Sequence, residues 1–283
     1  MPKRIFKNIE LREGYTSIVS PENSELRYIE FGRIYLPERE GEYEGKTGGR
    51  EAVLTIFGGR CSIQVRTPTR KAVYKSIGWR RDVFSGKPTM VYLPPGSEYT
   101  VKAESAVEIG VSMAPSGSAS PPVLVKPEEA SENIVGAWNW RRRVYTSVGE
   151  NVEAERLLVG ETFNPPGNWS SYPPHKHDSR GPAEVPLEEV YFFKVKPAYG
   201  FGLQRVYTSP DDESPFDEIF LIENDDLVVI PRGYHPVVAA PGYQLYYLWV
   251  LAGEERRYGA WSDDPRHRWV KDGEAIIKEA LHG

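Results

Sequence analysis

His175 and His177 stand two residues apart in the stretch Gly167-Asn-Trp-Ser-Ser-Tyr-Pro-Pro-His175-Lys-His177-Asp178. Residues two apart on a β-strand share a face, so both imidazoles can reach one metal ion. Carboxylate candidates follow at Glu184, Glu188 and Glu189, and a third histidine, His235, ends the turn Pro231-Arg-Gly233-Tyr-His235. Imidazoles with one carboxylate suit a divalent transition metal and leave positions for water or a substrate. A lone histidine is ordinarily a hydrogen-bonded core or surface side chain. A His-x-His pair, an apolar strand opened by glutamate and a Pro-x-Gly turn before another histidine together point to metal binding. Strand phase groups Glu189 with Tyr191 and Phe193 and favours Glu189 over Glu188 as the ligand. Residues 1–150 contain no histidine, so the first half cannot carry a histidine-based site.

The elements that must position these residues read as strands. The chain has 24 prolines, 26 glycines and 17 tyrosines, a mixture that fits short strands and tight turns better than a helical bundle. At 283 residues it allows one large domain or two ordinary ones. The net charge of −5 disfavours a nucleic-acid partner, whose phosphates want a basic surface. No apolar run approaches a membrane span and the N-terminus lacks an apolar leader core, so a cytoplasmic protein with no membrane partner is expected. The single cysteine, Cys61, cannot form an internal disulfide and reads as a small buried thiol.

In chain order, the run Glu51 to Gly59 reads as a strand ending in a Gly-Gly turn and Arg60 to Val65 as its hairpin partner. The run Thr89 to Ala103 reads as strand, Pro-Pro-Gly turn and strand. Residues 114–133, rich in proline and serine, read as a surface linker within a crossover at 116–150. The arginines of Asn139-Trp-Arg-Arg-Arg-Val-Tyr145 read as a charged strand edge, because consecutive residues on a strand cannot all face one site. Strands over 189–195 and 201–208 are expected to pair around the turn Lys196 to Gly200. Only 264–281 looks helical. His267 reads as a surface residue beside Trp269, and His282 as inert. The expected fold is all-β: a metal-free barrel over 1–115, a metal-binding barrel over 151–255, and a short helical tail over 256–283.

The ligand pattern resembles the two motifs of the cupin superfamily. The spacing is longer than usual between His177 and Glu189 and shorter between Gly233 and His235. Both are loop-length changes that leave His175, His177, Glu189 and His235 as ligands. Leu93-Pro-Pro-Gly-Ser-Glu-Tyr99 resembles a histidine-free second motif in the first half, so the chain looks like a tandem cupin. The segments Asn168 to Asp178, Gly202 to Thr208, Val229 to Val237, Ala240 to Leu248 and Trp261 to Trp269 resemble, more narrowly, the 5-deoxy-glucuronate isomerase family of inositol catabolism, and the likeness runs along essentially the whole chain.

That resemblance implies an aldose–ketose isomerase acting on a small uronate and using one divalent metal, whether zinc, manganese, iron, cobalt or nickel. A base is needed near C2, and Glu184, Tyr191, Tyr207 and Tyr246 are the candidates. The substrate carboxylate wants an arginine, and Arg205 and Arg232, with Gln204, are the candidates for substrate binding. Barrel edges commonly pair, so a homodimer is expected. The competing readings are a uronate isomerase of the 5-keto-4-deoxyuronate type, a cupin dioxygenase and a sugar-binding cupin without turnover.

Overall fold

β-Branched and aromatic runs, cut by glycine and proline turns, form strands along most of the chain. The computed structural model describes residues 3–282. Two large sheets stand back to back, and each closes into a barrel with a smaller sheet. In the first barrel the large sheet runs Val123–Val125, Thr89–Leu93, Arg50–Gly58, Val107–Pro115, Glu30–Leu36 and Gly14–Val19. Its small sheet runs Glu42–Lys46, Glu98–Ala103, Cys61–Arg66 and Lys71–Ile77. In the second barrel the large sheet runs Ile5–Phe6, Leu227–Ile230, Glu188–Lys196, Gln244–Ala252, Leu158–Asn164, Arg142–Val148 and Ser131–Val135. Its small sheet runs Trp169–Ser170, Val237–Ala239, Gly202–Tyr207 and Asp217–Ile222. The one α-helix among the described residues, Trp269–His282, follows the second barrel.

Alternation along the large-sheet strands fills separate cores. On Glu188–Lys196, Val190 and Phe192 face the first barrel, while Tyr191, Phe193 and Val195 face the second barrel's interior. On Gln244–Ala252, Tyr246, Leu248 and Val250 face the first barrel and Leu245, Tyr247 and Trp249 face inward. Phe57 stacks on Phe192 at 5.4 Å across the seam. The seam also buries an ion pair, Arg80 with Glu161 at 2.5 Å, and Tyr246 donates to the same carboxylate at 2.7 Å. Two glutamates tie the barrels reciprocally. Glu51 of the first accepts the backbone N–H groups of Glu155, Arg156 and Leu157. Glu188 of the second accepts those of Arg27, Tyr28 and Ile29.

Three features differ from the expectations. Arg50–Gly58 and Cys61–Arg66 are not a hairpin, nor are Glu188–Lys196 and Gly202–Tyr207. The members of each pair lie in different sheets and face one another across a barrel. The turn between Thr89–Leu93 and Glu98–Ala103 likewise carries the chain from one sheet to the other. A short apolar strand and a glycine turn serve an arch between sheets as well as a hairpin, so local pattern does not separate them. The segment 116–150 is not a free tether, because Val123–Val125 extends the first barrel's sheet while Ser131–Val135 and Arg142–Val148 belong to the second's. The N-terminal strand also crosses over: Ile5 and Phe6 pair with Val228 and Leu227 of the second barrel. Cys61 is fully buried, and burial pushes its thiol up to about 12.

Candidate metal centre

His177, Glu189 and His235 converge inside the second barrel, with ligand atoms within 4.8 Å of one another. Glu189 comes from the large sheet, His235 lies just before the small-sheet strand Val237–Ala239, and His177 follows the short strand His175–Lys176. Gly233 makes the last turn possible. Its φ is +93°, and a Cβ there would lie 2.6 Å from the Tyr207 carbonyl oxygen.

Hydrogen bonding fixes the tautomers. His177 Nδ1 lies 2.7 Å from the Leu187 carbonyl oxygen, and His235 Nδ1 lies 2.9 Å from that of Gly233. A carbonyl only accepts, so each Nδ1 carries the proton and each Nε2 presents a lone pair. Those two Nε2 atoms stand 3.2 and 3.3 Å from Glu189 Oε2. Three acceptors therefore face one point. A proton on His177 Nε2 would bridge to Glu189 but leave the buried Nε2 of His235 without a partner, as it stands here. A divalent cation satisfies all three, so the residues fit a metal. Burial pushes His235 down to about 3, holding it neutral as a ligand must be. Burial also opposes protonation of His177, but the Glu189 contact outweighs it and raises that pKa.

His175 is half-buried at the edge of the cluster. Its ring lies 4.8 Å from that of His235, 6.3 Å from that of His177 and 5.2 Å from that of Trp261. The long connection from His177 to Glu189 is a compact loop. Glu184 Oε1 accepts from Lys176 Nζ and from the backbone N–H groups of Asp178 and Ser179. The Leu187 N–H closes the loop onto the His177 carbonyl at 2.8 Å. Asp178 accepts from the Gly233 N–H at 2.8 Å, tying this loop to the third ligand's turn.

The cluster opens into a cavity of about 310 Å³. Tyr191 stacks on Tyr247 at 4.2 Å, and its hydroxyl lies 2.8 Å from Ser171 Oγ. Burial raises Tyr191 well above its ordinary value, so it stays a neutral donor. Tyr247 hydrogen-bonds Ser170. Arg142 enters the same cavity and donates from Nη1 to the carbonyls of Trp140 and Tyr172.

Of the expected catalytic residues, Tyr191 alone lines this cavity. Glu184 pins the ligand loop. Tyr207 donates to Asp264 at 2.7 Å on the outer side of its strand. Tyr246 faces the seam between barrels, one residue out of phase with the cavity. The structure does not bring Arg205 or Arg232 to the cluster. Arg205 pairs with Asp217 and Arg232 with Asp212, both at the surface. Gln204 is fully buried, with both amide atoms unpartnered. His267 lines an aromatic groove beside Trp140 and Trp269 rather than the metal cavity. Sequence reasoning read Arg142 as part of a charged strand edge and passed over Ser171 and Tyr247. Strand phase was the available signal, since Arg142 shares its parity with the inward Val144, and Tyr247 with Trp249.

Two antiparallel barrels in one chain, one holding histidines and a carboxylate at its centre, define a tandem cupin. Comparison with known proteins narrows the class. The profile of the KduI/IolB family matches residues 6–270, and the chain belongs to that family. It is 40% identical over 269 residues to a 5-deoxy-glucuronate isomerase of Geobacillus kaustophilus (strain HTA426), covering 94% of each chain. The crystal structure of an IolB-like protein from Salmonella typhimurium LT2 superposes with a TM-score of 0.87 at 32% identity, covering 95% of this chain and 99% of that one. Oxalate decarboxylase of Lactobacillus farciminis, at 11% identity and a TM-score of 0.68 over 100% of this chain and 96% of that one, shares the fold. No helix is long and apolar enough to cross a membrane among the described residues.

Proposed function

We propose that this protein is a metal-dependent 5-deoxy-glucuronate isomerase, converting 5-deoxy-D-glucuronate to 5-dehydro-2-deoxy-D-gluconate. The observation that carries the reading is the 40% identity, over 94% of both chains, to a relative of that name. The acceptor cluster supplies the chemical rationale.

His177, Glu189 and His235 would hold the metal, with His175 as the fourth ligand at the cavity edge. The donor set suits a first-row divalent ion such as zinc, manganese, iron, cobalt or nickel. Such an ion would supply Lewis acidity toward the substrate's carbonyl. The isomerisation takes a proton from C2 and returns one to C1. Tyr191 keeps its proton at neutral pH, so it donates to an oxygen on which charge develops, and Ser171 fixes its hydroxyl. The Tyr191–Tyr247 stack holds the phenol in place.

Incubation of the purified, metal-loaded protein with 5-deoxy-D-glucuronate tests this directly. Formation of the ketose supports the reading. Conversion of 5-keto-4-deoxyuronate instead would move the substrate to the pectin-derived uronates, and conversion of neither would remove the isomerase assignment.

A further inference from the structure

We propose that Arg142 is the carboxylate anchor of the cavity, gripping the acid end of the substrate so that the aldehyde end meets the histidine–glutamate cluster. The inference rests on the uronate reading above and assigns its specificity to one side chain.

Arg142 opens the strand Arg142–Val148, whose alternation sends Val144 and Arg142 into the second barrel and Arg143 and Tyr145 away from it. The run of three arginines thus contributes one guanidinium to the cavity. Its Nη1 donates to the Trp140 carbonyl at 3.2 Å and the Tyr172 carbonyl at 3.1 Å. Those bonds fix the plane of the group. Among the described residues, Nε and Nη2 have no protein acceptor and no carboxylate lies within ion-pair distance. Neither atom is sealed off, and Arg142 lines the cavity, so both donors are free to take a ligand there.

The neighbouring charges are already engaged. Lys271, the other strong cation of the lining, pairs with Asp263 at 2.5 Å. Glu274 takes Lys278 and the Trp140 indole N–H. Burial lowers the pKa of Arg142, yet a guanidinium stays charged in proteins. Arg142 is half-buried and feels Glu274 only through space, without a hydrogen bond between them, so a ligand carboxylate would add a direct partner with two parallel hydrogen bonds. Arg142 lines the same cavity as His175, His177 and Glu189, which places it within reach of the cluster. The cavity of about 310 Å³ sits at the small end of ligand sites, sized for a single small molecule.

The test uses two probes that cannot isomerise: the alcohol obtained by reducing the C1 aldehyde of 5-deoxy-D-glucuronate, and the same alcohol with its carboxylate converted to an amide. Calorimetric titration of the metal-loaded protein should show that the wild type prefers acid to amide. Arg142→Ala should weaken acid binding by about 100-fold, change amide binding little, and retain the metal. Guanidinium ion added to Arg142→Ala should restore part of the acid binding and leave amide binding unchanged. A variant that keeps the acid preference, or a wild type that lacks one, overturns the proposal. If Arg142→Ala does not fold, Arg142→Lys decides, because it keeps the charge but loses the second prong and should lose acid binding selectively. Binding without turnover in the wild type would remove the isomerase reading and leave the anchor standing.

Discussion

Glu188 and Glu189 are adjacent on one strand and serve opposite faces of it. Glu189 turns into the barrel, 3.2 and 3.3 Å from the Nε2 atoms of His177 and His235. Glu188 turns to the seam and accepts three consecutive backbone N–H groups, from Arg27, Tyr28 and Ile29, at 2.7 to 2.8 Å. Glutamine substitutions at the two positions therefore separate metal from stability. Glu189→Gln should fold normally and lose metal, read by elemental analysis. Glu188→Gln should keep its metal and lose about 1–3 kcal/mol of stability, because its NH₂ would face a backbone donor. Equal metal loss in both variants would contradict this division.

Gly233 sits where only glycine fits. Gly233→Ala should lower the thermal midpoint and the metal occupancy together, through the clash with the Tyr207 carbonyl and a left-handed strain of about 1–3 kcal/mol. Gly242→Ala is the control, since its φ is +85° but nothing lies within 4 Å of its would-be Cβ. Gly242→Ala should show strain alone and keep its metal. A Gly233 variant with full occupancy would show that the turn does not set the third ligand.

Tyr191→Phe removes the cavity's proton donor and leaves the Tyr247 stack. Turnover should fall by about 100-fold with metal content unchanged. In heavy water the wild type should place deuterium on the carbon that was C1 of the substrate, which is C6 of the product. A product without it would point to a hydride shift from C2.

Asp264 gives the acid limb a specific component. Burial opposes its charge, but hydrogen bonds from Arg266 and Tyr207 prevail and bring it to about 2 from 3.8. A depressed carboxylate pKa stabilises the fold above 3.8, and that contribution is lost as pH falls through about 2. Urea unfolding should show the wild type more stable than Asp264→Asn at neutral pH, with the two curves converging toward pH 2. A constant gap down to pH 2 would contradict the assignment.

How far the sequence speaks is visible in single residues. The alternation of Glu189, Tyr191 and Phe193 is enough to place that face inside, and the glycine at 233 announces a turn before His235. The same period-two rule applied to Gln244–Ala252 selects Tyr247 over Tyr246, but it needs one inward residue as an anchor, which the sequence alone does not supply. Arg205 and Arg142 look alike as letters; they differ because Asp217, diagonally placed on the neighbouring strand, pairs with one, while the other lines the metal cavity. The exchange of Ile5–Phe6 into the second barrel leaves no local mark, because a two-residue strand gives no periodicity to read.

The most direct measurement follows 5-deoxy-D-glucuronate turnover by one purified sample before and after chelation, with its metal content determined in parallel. The expected result is ketose formation that disappears as the metal is withdrawn and returns with a single divalent ion. Undiminished turnover by metal-free protein, or no turnover by the fully loaded protein, would contradict a metal-dependent isomerase.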